Sequence, residues 1–174
     1  EQIEKGRSEL EYIDSVLDTV SRAESERELA QIREELTEQG YLRKQKGKQR
    51  PQAALPPLEF TSSDGFKILV GRNNTQNDKL TLKIANKNDM WLHTKDIHGS
   101  HTVVFAEGRE ISDTAILEAA QLAAYYSKAR ESSQVPVDYT LVRYVSKPSG
   151  ARPGMVIYVN NKTVYVTPKA NISE

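Results

Sequence analysis

The sequence has no cysteine, which excludes a disulfide framework and any thiolate metal site and suits a cytoplasmic protein. It has no excess of either charge: 24 basic and 24 acidic residues cancel, so it is not a uniformly basic nucleic-acid binder and its charge has to be read locally. No apolar run approaches the roughly 18 residues that span a bilayer, so no membrane insertion is expected. Aromatic residues make up 7% of the chain, with a single tryptophan. The chain opens on Glu1, in helical periodicity and without a capping residue, which suggests a piece of a longer protein.

The neutral total hides three segments of different charge. Residues 1–42 carry five cations and twelve anions, residues 43–57 five cations and no anion, and residues 58–174 fourteen cations and twelve anions.

In the first segment Leu10, Ile13, Leu17 and Val20 recur at helical spacing, and Leu29, Ile32 and Leu36 repeat the pattern after a break at 21–25. Ser25 and Glu28 form a capping box for the second helix and Gly40 a stop. The pattern predicts a helical hairpin, the end of a coiled coil. Its narrow apolar stripes require a partner, either further helices of the same protein or a second chain, the latter giving self-association through 1–42. RKQKGKQRPQAALPP (43–57) reads as a linker whose cations would attract phosphate backbones or remain solvated.

From Leu58 onward FKILV, LTLKIA, MWLH, HTVVFA, VDYTLVRYV, MVIYV and TVYVT read as short strands bounded by turn residues. Asn160-Asn161 predicts a hairpin between the last two. One helix interrupts them, SDTAILEAAQLAAYYSKAR (112–130), capped by Ser112 or Asp113, with Lys128 and Arg130 at its end and alanines that permit close approach to a sheet. The expected fold is α+β: a largely antiparallel sheet covered by one helix and preceded by the helical hairpin.

Two places are chemically unusual. VGRNNTQNDK (70–79) puts Arg72, Asn73, Asn74, Gln76 and Asn77 into what reads as one interstrand connection, far more polar than a turn requires, and long polar loops on a rigid scaffold are where binding is placed. DMWLHTKDIHGSH (89–101) holds all three histidines, His93, His98 and His101, beside Trp91, Asp89 and Asp96. Three imidazoles would suit zinc if they converged, but they lack a known ligand spacing. Ser100, His101 and Asp96 are the residue types of a nucleophile, base and orienter, yet neighbours on a strand point to opposite faces. The remaining chemistry is recognition: an indole and imidazoles to stack on unpaired bases, with Lys95, Arg72 and the carboxamides as donors. Against it stands the plain alternative of a packed Trp91, a buried His101 and Gly99 as a turn. SKPSGARPG (146–154) adds Lys147 and Arg152 as phosphate contacts or a stiff turn.

DGFKILVGRNNTQND, DMWLHTKDIHGSH, AAQLAAYYSKAR, VDYT and KPSGARPGMVIYVNNKT together resemble the carboxy-terminal NFACT-R domain of the RqcH/NEMF family, called fibronectin-binding protein A in many Gram-positive bacteria. The resemblance covers about residues 58–170, with 1–42 similar to the returning end of the coiled-coil region. It implies a non-catalytic module, without cofactor or metal, that binds tRNA or ribosomal RNA. Such a module would serve ribosome-associated quality control on obstructed large subunits and support alanine tailing. The partners it implies are the large ribosomal subunit and tRNA. Arg72, Asn73, Asn74, Gln76 and Asn77 match one family motif, Asp89, Trp91 and His93 a second, and Gly99, Ser100 and His101 a third. With Lys95, Lys147 and Arg152 they are the expected RNA-contacting residues, sharing one edge of the sheet. A fibronectin-binding surface adhesin, with a cell-surface location, is the competing reading. A histidine-based metal site or hydrolase is the third.

Overall fold

The computed structural model describes residues 1–47 and 54–172; Lys48 and Arg50 of the basic linker lie outside them. Helices α1 (Gln2–Arg22) and α2 (Glu26–Glu38) form the hairpin. The Ser25 hydroxyl accepts from Glu28 N at 3.2 Å, and the Glu28 carboxylate accepts from Glu24 N at 2.9 Å. α2 stops where Gly40 takes φ +84°, a left-handed turn that glycine adopts without strain. Tyr12, Val16 and Ile32 pack as a small core. Ile3, Leu10 and Leu17, seven residues apart, remain 76%, 67% and 60% exposed on the other side of α1.

The remainder is the predicted α+β domain. Strands β1 (Leu58–Thr61), β2 (Lys67–Val70), β3 (Met90–Thr94), β4 (Thr102–Val104), β5 (Val135–Leu141) and β8 (Lys162–Val166) form one antiparallel sheet in the order β1-β2-β4-β3-β5-β8. Two short strands, β6 (Val145–Ser146) and β7 (Ile157–Tyr158), pair separately. Successive side chains alternate between the sheet faces. Ile68, Val70, Leu92, Val104 and Val137 turn to one face, under helix α4 (Asp113–Tyr125) and its buried alanines. Leu69, Trp91 and Val103 turn to the other.

The expected helix covers the first face, and the second face is covered too, in part by a segment read as a strand. LTLKIA is not a strand. Asn73 caps a short helix α3 (Asn74–Lys79), its carboxamide oxygen accepting from Gln76 N at 2.8 Å, and the chain continues as a π-helical turn over Leu80–Ile84. Leu80 packs on Trp91 while Leu82 and Ile84 stay exposed, so burial does not alternate. β2 instead finds its partner in β4. The predicted hairpin at 160–161 is also not formed: β7 pairs with β6 and β8 with β5, although Asn160 does take φ +56°. α4 ends earlier than predicted because Ser127 bridges to Gly99, while Arg130 Nε donates to Tyr125 O at 2.8 Å just beyond the helix end. Among the described residues no helix is long and apolar enough to cross a membrane.

Leu122 of α4 is fully buried in the larger core. Leu122→Ala is expected to destabilise the domain by about 2–5 kcal/mol through lost burial and the cavity left behind, read as a lower midpoint in urea. A change below about 0.5 kcal/mol would mean that α4 does not seal this face.

Candidate nucleic-acid interface

The polar stretch 70–79 is positioned by backbone contact. Gly71 lies so close to α3 that a Cβ there would fall 1.8 Å from the Asn77 side-chain oxygen. That oxygen accepts from His101 N at 3.2 Å, and Gly71 N donates to His101 O at 3.0 Å. The first and third motifs therefore do meet at one end of the sheet. The second is spread out, with Trp91 in mid-strand and Asp89 at the opposite end, where its carboxylate accepts from Ala106 N at 2.9 Å and Asn86 N at 2.7 Å.

Most of these residues are engaged inside the protein. Arg72 donates to Glu28 Oε1 at 2.6 Å and Pro56 O at 2.7 Å. Asn74 donates to Ser15 Oγ at 3.1 Å, and Gln76 Nε2 to Leu55 O at 2.9 Å. Arg152 reaches Gln39 at 3.1 Å and Glu9 at 3.3 Å. Lys147 pairs with Asp78 at 2.9 Å and donates to Arg152 O at 2.7 Å. Arg72, Asn74 and Arg152 thus fasten the helical hairpin to the α+β domain. Glu35 does the same: its buried carboxylate accepts from Tyr12 OH at 2.6 Å, Thr75 N at 2.7 Å and Thr75 Oγ1 at 3.0 Å. Burial, with that carboxylate beside it, raises the Tyr12 pKa. Glu9, Glu35 and Gln39 were not singled out in the sequence, and Glu28 only as a capping residue. The available signal was Glu35 itself, an acid three residues after Ile32 and beside Leu36 on the apolar face of α2.

Trp91 is 1% exposed, enclosed by His93 (stacked, 5.8 Å), His101 (edge-on, 5.3 Å) and Tyr158 (4.7 Å); its indole is a packing element. His101 lies between Thr81 Oγ1 at 2.8 Å and Gly154 O at 3.1 Å. Burial depresses its pKa from 6.5 to about 3. A neutral ring fits both contacts, Nε2 donating to the carbonyl and Nδ1 accepting from the hydroxyl. His93, near Thr94 O and Gly99 O, is shifted down for the same reason. With both nitrogens engaged, His101 is not placed as a base for Ser100, whose N–H donates to Tyr126 O at 3.0 Å on the α4 side. Among the described residues no group of three or more ligating side chains is placed to hold a metal ion. Gly99 sits where a Cβ would meet Ser127 and Thr94 at 2.9 Å. Lys95 is exposed in the turn after β3.

What the structure adds is a surface. The layer over the Trp91 face consists of the 79–88 segment and residues 142–159, which together carry six cations and no anion. Lys147 and Arg152 are committed to internal pairs; Lys79, Lys83, Lys87 and Arg143 are exposed. Leu82, Ile84, Tyr144, Ile157 and Val159 are exposed beside them. Arg143 Nε lies 3.4 Å from Lys87 O, which joins the two segments. The sequence signal was three lysines four residues apart without an acid between them.

A family described as "NFACT protein RNA binding domain" matches residues 57–160, and one described as "NFACT N-terminal and middle domains" matches 1–54. The Rqc2 homolog RqcH of Bacillus subtilis is 49% identical over 98% of this chain, and that of Streptococcus suis 45% identical over 95%. The chain spans 30% of the length of each. A solved C-terminal part of the fibronectin/fibrinogen-binding protein from Streptococcus suis superposes with a TM-score of 0.91 at 42% identity, over 98% of this chain and 68% of that one.

Two outcomes follow from these contacts. Glu35→Ala leaves three donors short of a partner and is expected to cost at least about 2 kcal/mol in urea denaturation, whereas exposed Glu34→Ala is expected to be near neutral; equal effects would remove Glu35 from the fastening. For both histidines the folded pKa lies below the unfolded value of 6.5, so the unfolded chain takes up the extra proton first. Stability is full above pH 6.5 and falls below it, by at most about 1.4 kcal/mol per pH unit for each histidine, the His101 contribution being lost as pH drops toward 3. Urea midpoints measured from pH 7.5 to 5 check this, and His101→Gln should flatten the slope.

Proposed function

Because the chain belongs to the NFACT family, with that family's RNA-binding domain over residues 57–160, we propose that it is the non-catalytic RNA-binding module of a ribosome-associated quality-control factor. The observation that carries the reading is the acid-free layer with Lys79, Lys83, Lys87 and Arg143 exposed and apolar side chains between them. Such a surface neutralises phosphates and offers faces for bases. Its RNA is tRNA or ribosomal RNA on an obstructed large subunit, and its work supports alanine tailing carried out with the rest of the protein. The relatives named RqcH support this assignment.

Of the residues expected from the motifs, Lys95 adds to the contact surface. Arg72, Asn73, Asn74, Gln76, Asn77, Lys147 and Arg152 set the position of that surface; Trp91 and His93 lie in the strand beneath it, with Asp89, Gly99, Ser100 and His101 just before strands β3 and β4. The second reading, fibronectin binding, draws on the name of the Streptococcus suis structure; it would show as fibronectin capture that survives nuclease treatment.

In fluorescence anisotropy with labelled tRNA at several salt concentrations, replacing Lys79, Lys83 and Lys87 by alanine is expected to make the log-log salt slope shallower by about 2 to 3. Arg72→Ala should leave that slope nearly unchanged, since its guanidinium serves Glu28. The reverse pattern would move the interface to the hairpin end, and no binding by the wild-type chain would overturn the RNA reading.

A further inference from the structure

The hairpin is fastened at one end of the sheet; the other end is open. There, beneath the 107–111 segment, lies a groove of about 420 Å³ lined by residues that include Asn88, Met90, Arg109, Glu110, Ile111 and Leu141, within the size range of small-ligand sites. Its floor is apolar: Met90 pairs with Leu141 across β3 and β5, and Met90 and Ile111 pack on the rim of the main core before α4 begins. Its walls are polar and held in place. Arg109 lies 4.0 Å over the Phe66 ring and donates to Gly65 O at 3.1 Å. Asn88 accepts from Arg143, the same arginine that joins the two segments of the basic face. Asn88 is thus the point where the lining of the groove touches the basic layer.

An apolar floor, a rim of hydrogen-bonding groups, the Arg109 guanidinium in the wall and that of Arg143 against Asn88 match one kind of occupant. We infer that the groove seats a single unpaired nucleobase of the bound RNA, with its flanking phosphates against Arg143 and Arg109. The inference rests on the RNA reading above and adds a base-reading position to it. A nucleobase has flat apolar faces and polar edges, and unpaired bases are the part of RNA that proteins read by stacking and edge contacts. An apolar peptide side chain would fill the floor but make no use of the exposed Glu110 carboxylate or of the Arg109 charge. At the rim the Glu110 carboxylate offers acceptors only, so it selects a base edge bearing an amino group, as cytosine does and uracil does not.

The test is anisotropy with three labelled probes, oligo(C), oligo(U) and a blunt RNA duplex, on the 174-residue chain and its variants. The wild-type chain is expected to bind oligo(C) roughly ten-fold tighter than oligo(U). Glu110→Ala should bring the two together. Leu141→Trp, which fills the groove, should weaken oligo(C) roughly ten-fold while duplex affinity and salt slope stay the same. Circular dichroism reports whether Leu141→Trp folds, and exposed Glu110→Ala carries the test if it does not. Equal binding of oligo(C) and oligo(U) by the wild-type chain, or an unchanged preference in Glu110→Ala, overturns the base seat and leaves the RNA reading standing. Absence of binding to all three probes overturns both.

Discussion

A carboxylate taken out of water must be surrounded by donors, because burying it unpaired costs several kcal/mol. Glu35 meets that requirement with one donor from its own hairpin, Tyr12, and two from the α+β domain, both on Thr75. The arrangement of the molecule depends on this. Glu35 is satisfied only when α1, α2 and the start of α3 are in place together, and Arg72 with Glu28 and Arg152 with Glu9 and Gln39 close the same junction. The hairpin is strongly acidic and two of its partners at the junction, Arg72 and Arg152, are basic, so charge favours the docking that burial then fixes.

The junction has a consequence for the rest of the surface. Cations at the hairpin end are consumed by carboxylates, whereas those along 79–88 and at Arg143 have no acid in their own segments. The neutral total of the chain is thus divided in space. Anions cluster on the hairpin, and in the layer over the Trp91 face Lys79, Lys83, Lys87 and Arg143 stand exposed. That layer is held by Trp91, Leu80, Val145 and Tyr158, so the aromatic cluster acts on the surface through packing.

Much of this was legible in the sequence. Helical periodicity, Ser25 and Ser112 as caps, Gly40 as a stop and the strands around Ile68, Trp91 and Val137 are local signals, and the structure retains them. The ordered motifs identified the family. LTLKIA was misread because its apolar residues fit a strand as well as a helical turn, and periodicity alone does not separate the two over six residues. The carboxamides of 73–77 were legible as unusual but not as internal, since whether a polar side chain faces water or a distant partner is not written in its neighbours.

The sequence by itself determined the elements, the α+β class, the segregation of charge along the chain and the family, because each follows from short-range pattern or ordered motifs. Only the tertiary structure decided the pairing of β7 with β6 and of β8 with β5. It also decided the burial of Trp91, the commitment of Arg72 and Arg152 to the hairpin, and the exposure of Lys79, Lys83, Lys87 and Arg143. These depend on contacts between residues as far apart as Glu9 and Arg152. Which of two equally charged side chains finds a carboxylate is set by where the backbone places it, not by its type.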